Sequence, residues 1–328
     1  MERIKIGLIG AGYMGRLHAM TLAGNERVRL TAVTDVEAER ADALARASGA
    51  RTVTSAEELI GQVEAVYITT PNTMHTDLAL AAIDAGRHVF CEKPMATTLA
   101  DAQKILDAAR QSGRVFQVGH NRRFAPVYVE LKNRLAENRP HSAHLKMNRG
   151  ELINPPWVGD QNLTGGFLYE TTIHMLDMMR FLFGEVTELD CASSMHEYSE
   201  EDDFSALLRF ADGFHATLAS SADASWLFPF ERVEVFCHHA TITTREMESI
   251  TYSGALDGRH TTQSMQQLSK EVKWGYAQED AAFVSSIIEG VSAKVTARDG
   301  YRSVELVDAC YRSARSGERV RFDVGEAW

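Results

Sequence analysis

Cysteine is scarce. Cys91, Cys191, Cys237 and Cys310 are the only four among 328 residues, and no two form a CxxC pair. No disulfide or metal staple is expected, and the thiols read as reduced and buried. Seven prolines are too few for a proline-rich linker. Basic residues are the minority, 34 Lys and Arg against 45 Asp and Glu for a net charge of −11. That balance argues against a surface selected to hold nucleic acid or anionic lipid. Long apolar runs are missing too. The start, Met1-Glu-Arg-Ile-Lys-Ile-Gly-Leu-Ile-Gly, is too short for a secretory leader or a membrane span and reads as a strand. The expectation is a cytoplasmic chain with a small-molecule partner, without membrane or nucleic-acid contacts.

What is present is ordinary globular composition, 45% hydrophobic and 24% charged. At roughly 150 residues per domain the length suggests about two domains. From residue 3 to about 121, short β-rich runs (Arg3–Ile9, Val28–Thr34, Thr52–Val53, Ala65–Thr69, His88–Cys91, Val115–Val118) alternate with helical patterns such as Thr73–Ala85 and Leu99–Gln111. This is how βαβ units building a parallel sheet look. After Pro126 a helix at Val127–Glu137 gives way to strand patterns at His144–Arg149, Glu188–Met195, Asp203–Phe210, Phe214–Ser220, Glu231–His238 and Thr241–Thr244. An α+β domain with an antiparallel sheet follows. Two late helices are expected, Ala277–Glu289 and Arg298–Ser316, the first with Ala281, Val284 and Ile288 on one apolar face. The division is placed at 1–122 and 123–328.

Gly10-Ala-Gly12-Tyr13-Met14-Gly15 follows the first strand and opens a helix. In that context the first glycine allows a tight turn, the second lets a pyrophosphate approach the backbone, and the third lets helix and strand pack closely. The helix N-terminus would stabilise the phosphate charge. Asp35 ends the second strand, where a carboxylate can bind an adenosine ribose and repel a 2′-phosphate, so NAD is expected over NADP. Arg40 stands close by. In an open parallel sheet, ligands bind beyond the carboxyl ends of the strands. The loops there carry Thr70, Pro71, Asn72 and His75, then Glu92 and Lys93, then Asn121. All are assigned to the cofactor rim, and Lys93 is also placed on a substrate oxygen.

These segments, with Gly86-Arg-His-Val-Phe-Cys-Glu92-Lys93-Pro94, Gly119…Arg123…Pro126, Gly165-Gly166…Glu170…His174…Asp177 and Arg298-Asp-Gly…Ser313-Ala-Arg-Ser-Gly317, resemble the GFO/IDH/MocA family of oxidoreductases. The resemblance covers essentially the whole chain. It implies an N-terminal Rossmann domain, a C-terminal α+β domain with an open, mainly antiparallel sheet, and a nicotinamide cofactor. It also implies a sugar or polyol substrate, a homodimer or homotetramer, an active-site lysine at Lys93 and a cis bond to Pro94. The family's DxxxH pair stands here as Glu170-Thr-Thr-Ile-His174.

Read as a regular helix, Glu170, His174 and Asp177 share one face, which would flank the imidazole with two carboxylates. A neutral histidine can accept a proton from a secondary alcohol, so Lys93, His174 and Glu170 are taken as the catalytic group, Glu170 tuning His174. Arg123, Arg149, Trp157 and Tyr276 are assigned with them to the substrate pocket, through hydroxyl binding or stacking. No metal is assigned, since no third ligand is placed by spacing. The function expected is NAD-dependent oxidation of a secondary hydroxyl of a sugar, inositol or sugar derivative, or reduction of the ketone. The alternatives are a redox-neutral sugar-processing enzyme that retains NAD, and a non-catalytic cofactor-sensing regulator. An open sheet with an uncovered apolar face would favour the oligomer.

Overall fold

A computed structural model describes residues 3–148, 160–196, 198–225 and 227–323, and these fall into two compact units. The first comprises Met1–Asn121 and Gly275–Val304; the second comprises Arg122–Trp274 and Glu305–Trp328.

Six parallel strands build the first unit: β1 (Ile4–Ile9), β2 (Val28–Thr34), β3 (Arg51–Thr52), β4 (Ala65–Ile68), β5 (His88–Glu92) and β6 (Phe116–Gly119), in the order β3-β2-β1-β4-β5-β6. Strands buried on both faces are nearly continuous in apolar residues, as Ala65–Ile68 and His88–Glu92 are. Helices such as Tyr13–Ala23 and Leu99–Ser112 supply the crossovers. The interior holds Ile6, Leu8, Tyr67 and Phe90, the last two stacked with ring centroids 4.5 Å apart.

Helix Tyr276–Glu289 belongs to this unit, packing Phe283 and Val284 into its core. The sequence placed it after the division at 122/123. Its face differs as well. Ala281 and Ile288 are exposed, while Glu279, Asp280, Phe283 and Val284 are buried. The helix turns two acids inward, and a buried histidine receives one of them, Asp280, as described below.

The second unit is a nine-stranded sheet. Its strands are β7 (Pro140–Asn148), β8 (Val186–Ser194), β9 (Asp203–Phe210), β10 (His215–Ser221), β11 (Glu231–Cys237), β12 (Ala240–Arg245), β13 (Ser249–Gly254), β14 (His260–Ser264) and β15 (Val320–Arg321), in the order β14-β13-β12-β11-β7-β10-β9-β8-β15. Every pairing is antiparallel except β7 with β10. Alternation is regular: Leu145, Leu208, Leu218, Val233 and Ile242 are buried on one face. The alternating positions carry mostly polar groups, among them His144, Lys146, Thr217, Arg232, Glu234, Thr243 and Thr251. They pair with one another, His144 Nδ1 with Thr217 Oγ1 at 2.8 Å and Thr251 with Thr262 at 2.9 Å. The expected exposed apolar face is therefore absent from the described strands, and burial of such a face is no argument for oligomerisation. No helix among the described residues is long and apolar enough to cross a membrane.

Candidate active site

The first unit gathers the cofactor-rim residues on loops leaving the carboxyl edge of one parallel sheet. Gly10, at φ +97°, makes the turn after β1, and a Cβ there would meet the Thr69 carbonyl oxygen at 2.7 Å. A Cβ on Gly15 would come within 2.0 Å of the Gly10 carbonyl oxygen, whereas one on Gly12 would meet nothing within 4 Å. Gly12 also begins helix Tyr13–Ala23, whose first turn has neither a side-chain cap nor an acidic residue. The open space, the uncapped N–H groups and the helix dipole are what a pyrophosphate requires. Facing loops add the Thr70 hydroxyl, buried with no hydrogen-bond partner among the described residues. Sequence order reverses in the sheet between β1 and β4, the switch point at which open α/β sheets bind nucleotides. The residues present fit a dinucleotide.

Asp35 is engaged locally. Its Oδ2 accepts the Ala11 N–H at 2.6 Å and its Oδ1 accepts the Glu37 N–H at 2.8 Å. It thus braces the glycine loop and the turn that leads to the next helix, while each oxygen keeps a further acceptor site for a ribose hydroxyl. Arg40 pairs with Glu37 at 2.9 Å on the surface. Tyr13 is exposed and Met14 half-buried.

Loops after β4 and β5 are joined by His75. Its Nδ1 lies 2.7 Å from the Pro94 carbonyl oxygen and its Nε2 2.9 Å from that of Thr70. Burial pushes this histidine below its ordinary pKa, and the neutral ring donates to one carbonyl at a time. Asn72 and Asn121 are buried, Lys93 is half-buried, and the Lys93–Pro94 bond is cis, as the resemblance implied. Glu92 is committed inside the fold: its Oε1 faces His18 Nε2 at 2.9 Å and its Oε2 accepts the Lys93 N–H at 3.1 Å. Burial alone would raise its pKa, but the His18 hydrogen bond and charge hold it below the usual carboxylate range. Tyr276 lies in this unit, its ring 6.3 Å from that of His18.

In the second unit, Leu168–Thr172 is a π-helical turn leading into the α-helix Ile173–Phe183. Thr171 donates its hydroxyl to the Phe167 carbonyl at 2.8 Å, a bond that competes with the regular ladder. Glu170 lies in the π turn and is half-buried; His174 is buried in the first α turn. With a π turn between them, i,i+4 spacing no longer ensures one face. Asp177 does not act as a second carboxylate for His174 alone, because Arg123 binds it through Nε at 2.8 Å and Nη2 at 2.7 Å. Arg123, expected in the substrate pocket, is thereby committed to that bidentate pair. Arg149 and Trp157 lie outside the described residues.

Sequence reasoning missed three groups. His18 sits between Asp280 and Glu92. Arg122 donates to Glu231 Oε2 at 3.0 and 2.8 Å while Tyr128 donates to Oε1 at 2.7 Å, all buried. Glu200, beside Gly166, is raised by burial to about 7. Only His18 left a signal, standing at i+3 from Gly15 and i−4 from Leu22 on a buried helix face.

Comparison with known proteins agrees with this geometry. Residues 4–120 match the GFO/IDH/MocA model described as "Oxidoreductase family, NAD-binding Rossmann fold", and residues 132–322 match that family's "C-terminal alpha/beta domain". The chain is 27% identical over 326 residues to inositol 2-dehydrogenase of Rhizobium meliloti (strain 1021), covering 97% of this chain and 98% of that protein. It is 30% identical over 340 residues to 1,5-anhydro-D-fructose reductase of Ensifer adhaerens, again covering 97% and 98%. The fold is shared with an NAD binding oxidoreductase from Klebsiella pneumoniae, TM-score 0.87 at 24% identity over 97% and 98% of the two chains.

Proposed function

Because the chain belongs to the GFO/IDH/MocA family of oxidoreductases, with an NAD-binding Rossmann fold in its first domain, we propose that it is an NAD-dependent dehydrogenase for sugars, inositols or related polyols, oxidising a secondary hydroxyl or reducing the ketone. The observation that carries this reading is the open cradle over Gly12, with the uncapped helix behind it and the rim loop of Lys93 on the same sheet edge. NAD, when bound, supplies the hydride acceptor. The remaining tasks fall to the chain. The Lys93 ammonium holds the substrate oxygen, as a point charge on a half-buried rim loop can. His174 takes the hydroxyl proton as general base, and Glu170 orients His174 or holds a neighbouring hydroxyl. Asp35 favours NAD over NADP, since a 2′-phosphate would approach its carboxylate, and Arg40, the nearby cation, is paired with Glu37. A cytoplasmic homodimer or homotetramer completes the reading, on the family resemblance.

The test is a panel of inositols, acyclic polyols, aldoses and anhydrosugars with NAD, following the reduced nicotinamide by absorbance. Stoichiometric release of NADH with at least one polyol is expected. Turnover without NADH release would move the assignment to a redox-neutral enzyme. Absence of turnover with every compound and both cofactors, alongside tight NAD binding, would move it to a cofactor sensor.

A further inference from the structure

A buried charge that the proposed reaction does not use crosses the core of the first unit. His18 is fully enclosed, its ring packed against Phe90 at 4.9 Å and Tyr67 at 5.4 Å between centroids. Both ring nitrogens face carboxylates, Nε2 to Glu92 Oε1 and Nδ1 to Asp280 Oδ1, each at 2.9 Å. A neutral imidazole has one N–H and an ionised carboxylate has none, so only the imidazolium donates to both. Burial pulls the histidine down, but the Asp280 charge and hydrogen bond, followed by those of Glu92, outweigh it and hold the ring well above its ordinary value.

The effect reaches Lys93 through the other oxygen of Glu92, which accepts the Lys93 backbone N–H at 3.1 Å. Glu92 has little freedom to move: a Cβ on Gly119 would already stand 3.0 Å from its carboxylate. One residue beyond Lys93, the Pro94 carbonyl oxygen lies 2.7 Å from His75 Nδ1. Lys93 is thus tied on one side through a charged histidine and on the other through a neutral one.

We propose that His18 is a positioning residue for Lys93: anchored by Asp280, its ring fixes the Glu92 carboxylate, and Glu92 fixes the backbone from which Lys93 reaches the substrate oxygen. This rests on the assignment of Lys93 to that oxygen. Misplacing a reacting group by about 1 Å can cost on the order of 10²-fold in rate, so the link is large enough to measure. Ligand atoms of His18, Glu92 and Glu279 lie within 4.8 Å of one another, a spacing a cation could use. Metal binding needs a deprotonated ring nitrogen, however, and the 2.9 Å contacts on both sides of the ring are hydrogen-bond distances.

Two amide variants separate the sides of the ring. His18→Gln keeps a donor near the Nε2 position, toward Glu92; His18→Asn keeps one near Nδ1, toward Asp280, and abandons Glu92. With the fastest-oxidised compound of the panel, His18→Asn should lower kcat by about 10- to 100-fold relative to His18→Gln, at matched Tm and NAD affinity. In a Lys93→Ala background the two should be equal, because there is no Lys93 left to position. Equal kcat for the two single variants, a His18→Asn loss that multiplies that of Lys93→Ala, or one equivalent of metal in the wild type that His18→Asn loses would each overturn the proposal. If neither variant folds, Glu92→Gln carries the same comparison: its kcat loss must vanish in the Lys93→Ala background, and persistence there overturns the proposal. Wild-type turnover in Lys93→Ala is a different outcome, which removes the assignment of Lys93 itself.

Discussion

His18 Nδ1 lies 2.9 Å from Asp280 Oδ1 although 262 positions separate them in the chain. The contact ties helix Tyr13–Ala23 to helix Tyr276–Glu289 within the first unit, and the Thr21 hydroxyl donates to the same carboxylate. Removing the Asp280 charge leaves His18 paired with Glu92 alone and takes away one charge-assisted hydrogen bond, worth about 1.5–3 kcal/mol. Asp280→Asn should lower stability in urea by that order while leaving the fold intact. The pH dependence has a definite sign. His18 is raised in the folded state, so its stabilisation is complete below about pH 6.5, the ordinary histidine value, and is lost as pH rises through the folded value. Asp280→Asn should flatten that decline. A stability within about 0.5 kcal/mol of wild type, the range of an ordinary surface substitution, would mean that His18 and Asp280 are not held as an ion pair.

Gly12 and Gly15 should respond to alanine in opposite ways. A Cβ at Gly15 would collide with the Gly10 carbonyl oxygen at 2.0 Å, and a Cβ at Gly12 would enter open space. Gly15→Ala should therefore lower Tm or prevent folding. Gly12→Ala should keep Tm within a few degrees and weaken NAD binding at least about 10-fold, because a methyl would occupy the position the pyrophosphate needs. Calorimetry and NAD titration of both proteins check the pair, and a Gly12→Ala protein with unchanged NAD affinity would place the cofactor elsewhere.

The parallel sheet was legible because strands buried on both faces write themselves as apolar runs: Val28–Thr34 has the same limits in the sequence reading and the fold. Strands β13 and β14 were not. Ser249–Gly254 buries only Ile250 and Tyr252 in alternation, too short a pattern to stand out, and His260–Ser264 is exposed along its whole length with no apolar alternation to read. The inward face of Tyr276–Glu289 was misassigned for a related reason. Periodicity counts apolar side chains, and this helix buries two acids, Asp280 against His18, a partner that no local window contains. The rim residues of the first unit could be assigned because strand order dictates which loops share an edge. The Arg123–Asp177 pair spans 54 positions and belongs to tertiary structure alone. The π turn at Leu168–Thr172 departs from the 3.6-residue repeat, and helical spacing in the sequence does not encode that departure.

Asp35 offers a test of cofactor choice. Its two oxygens already accept the Ala11 and Glu37 N–H groups, so its carboxylate is fixed before any ribose arrives. A charge-assisted hydrogen bond is worth about 1.5–3 kcal/mol, which corresponds to roughly 10- to 150-fold. Asp35→Ser should lower kcat/KM for NAD by that order and lower the value for NADP less, shrinking the ratio. A wild type that uses NADP better than NAD would reverse the assignment.

Glu200 should make stability depend on pH on the acid side of neutrality. Burial raises its carboxylate from 4.5 to about 7, the Phe167 N–H opposing and Glu201 and Asp202 adding to the rise. Its oxygen lies where a Cβ on Gly166 would come within 2.7 Å, at the entry to the turn that carries Glu170. The folded protein holds this proton more tightly than the unfolded chain, so the contribution is full below about 4.5 and declines as pH rises through about 7. Glu200→Gln should remove this part of the slope and leave the protein more stable than wild type at pH 8. Parallel stability–pH curves for the two proteins would show instead that Glu200 titrates as an ordinary surface acid.

Lys93 and His174 supply the decisive comparison, because the proposed chemistry gives them one oxygen between them. Oxidation needs a proton acceptor, and loss of a general base typically costs about 10² to 10⁴ in rate. His174→Ala should fall in that range with NAD affinity preserved, and Lys93→Ala should do comparable damage. The double variant should lose less than the product of the two, since groups acting on one proton are not independent. Glu170→Gln should lie between wild type and His174→Ala: its carboxylate acts through the imidazole, and the intervening π turn makes its support looser than regular i,i+4 spacing would. Steady-state kcat with NAD for the four proteins, alongside NAD titrations, measures all of this. Full activity in both single alanine variants would return Lys93 to a surface loop and His174 to a buried core position, and loss of NAD binding in Glu170→Gln would move that carboxylate from the substrate to the cofactor.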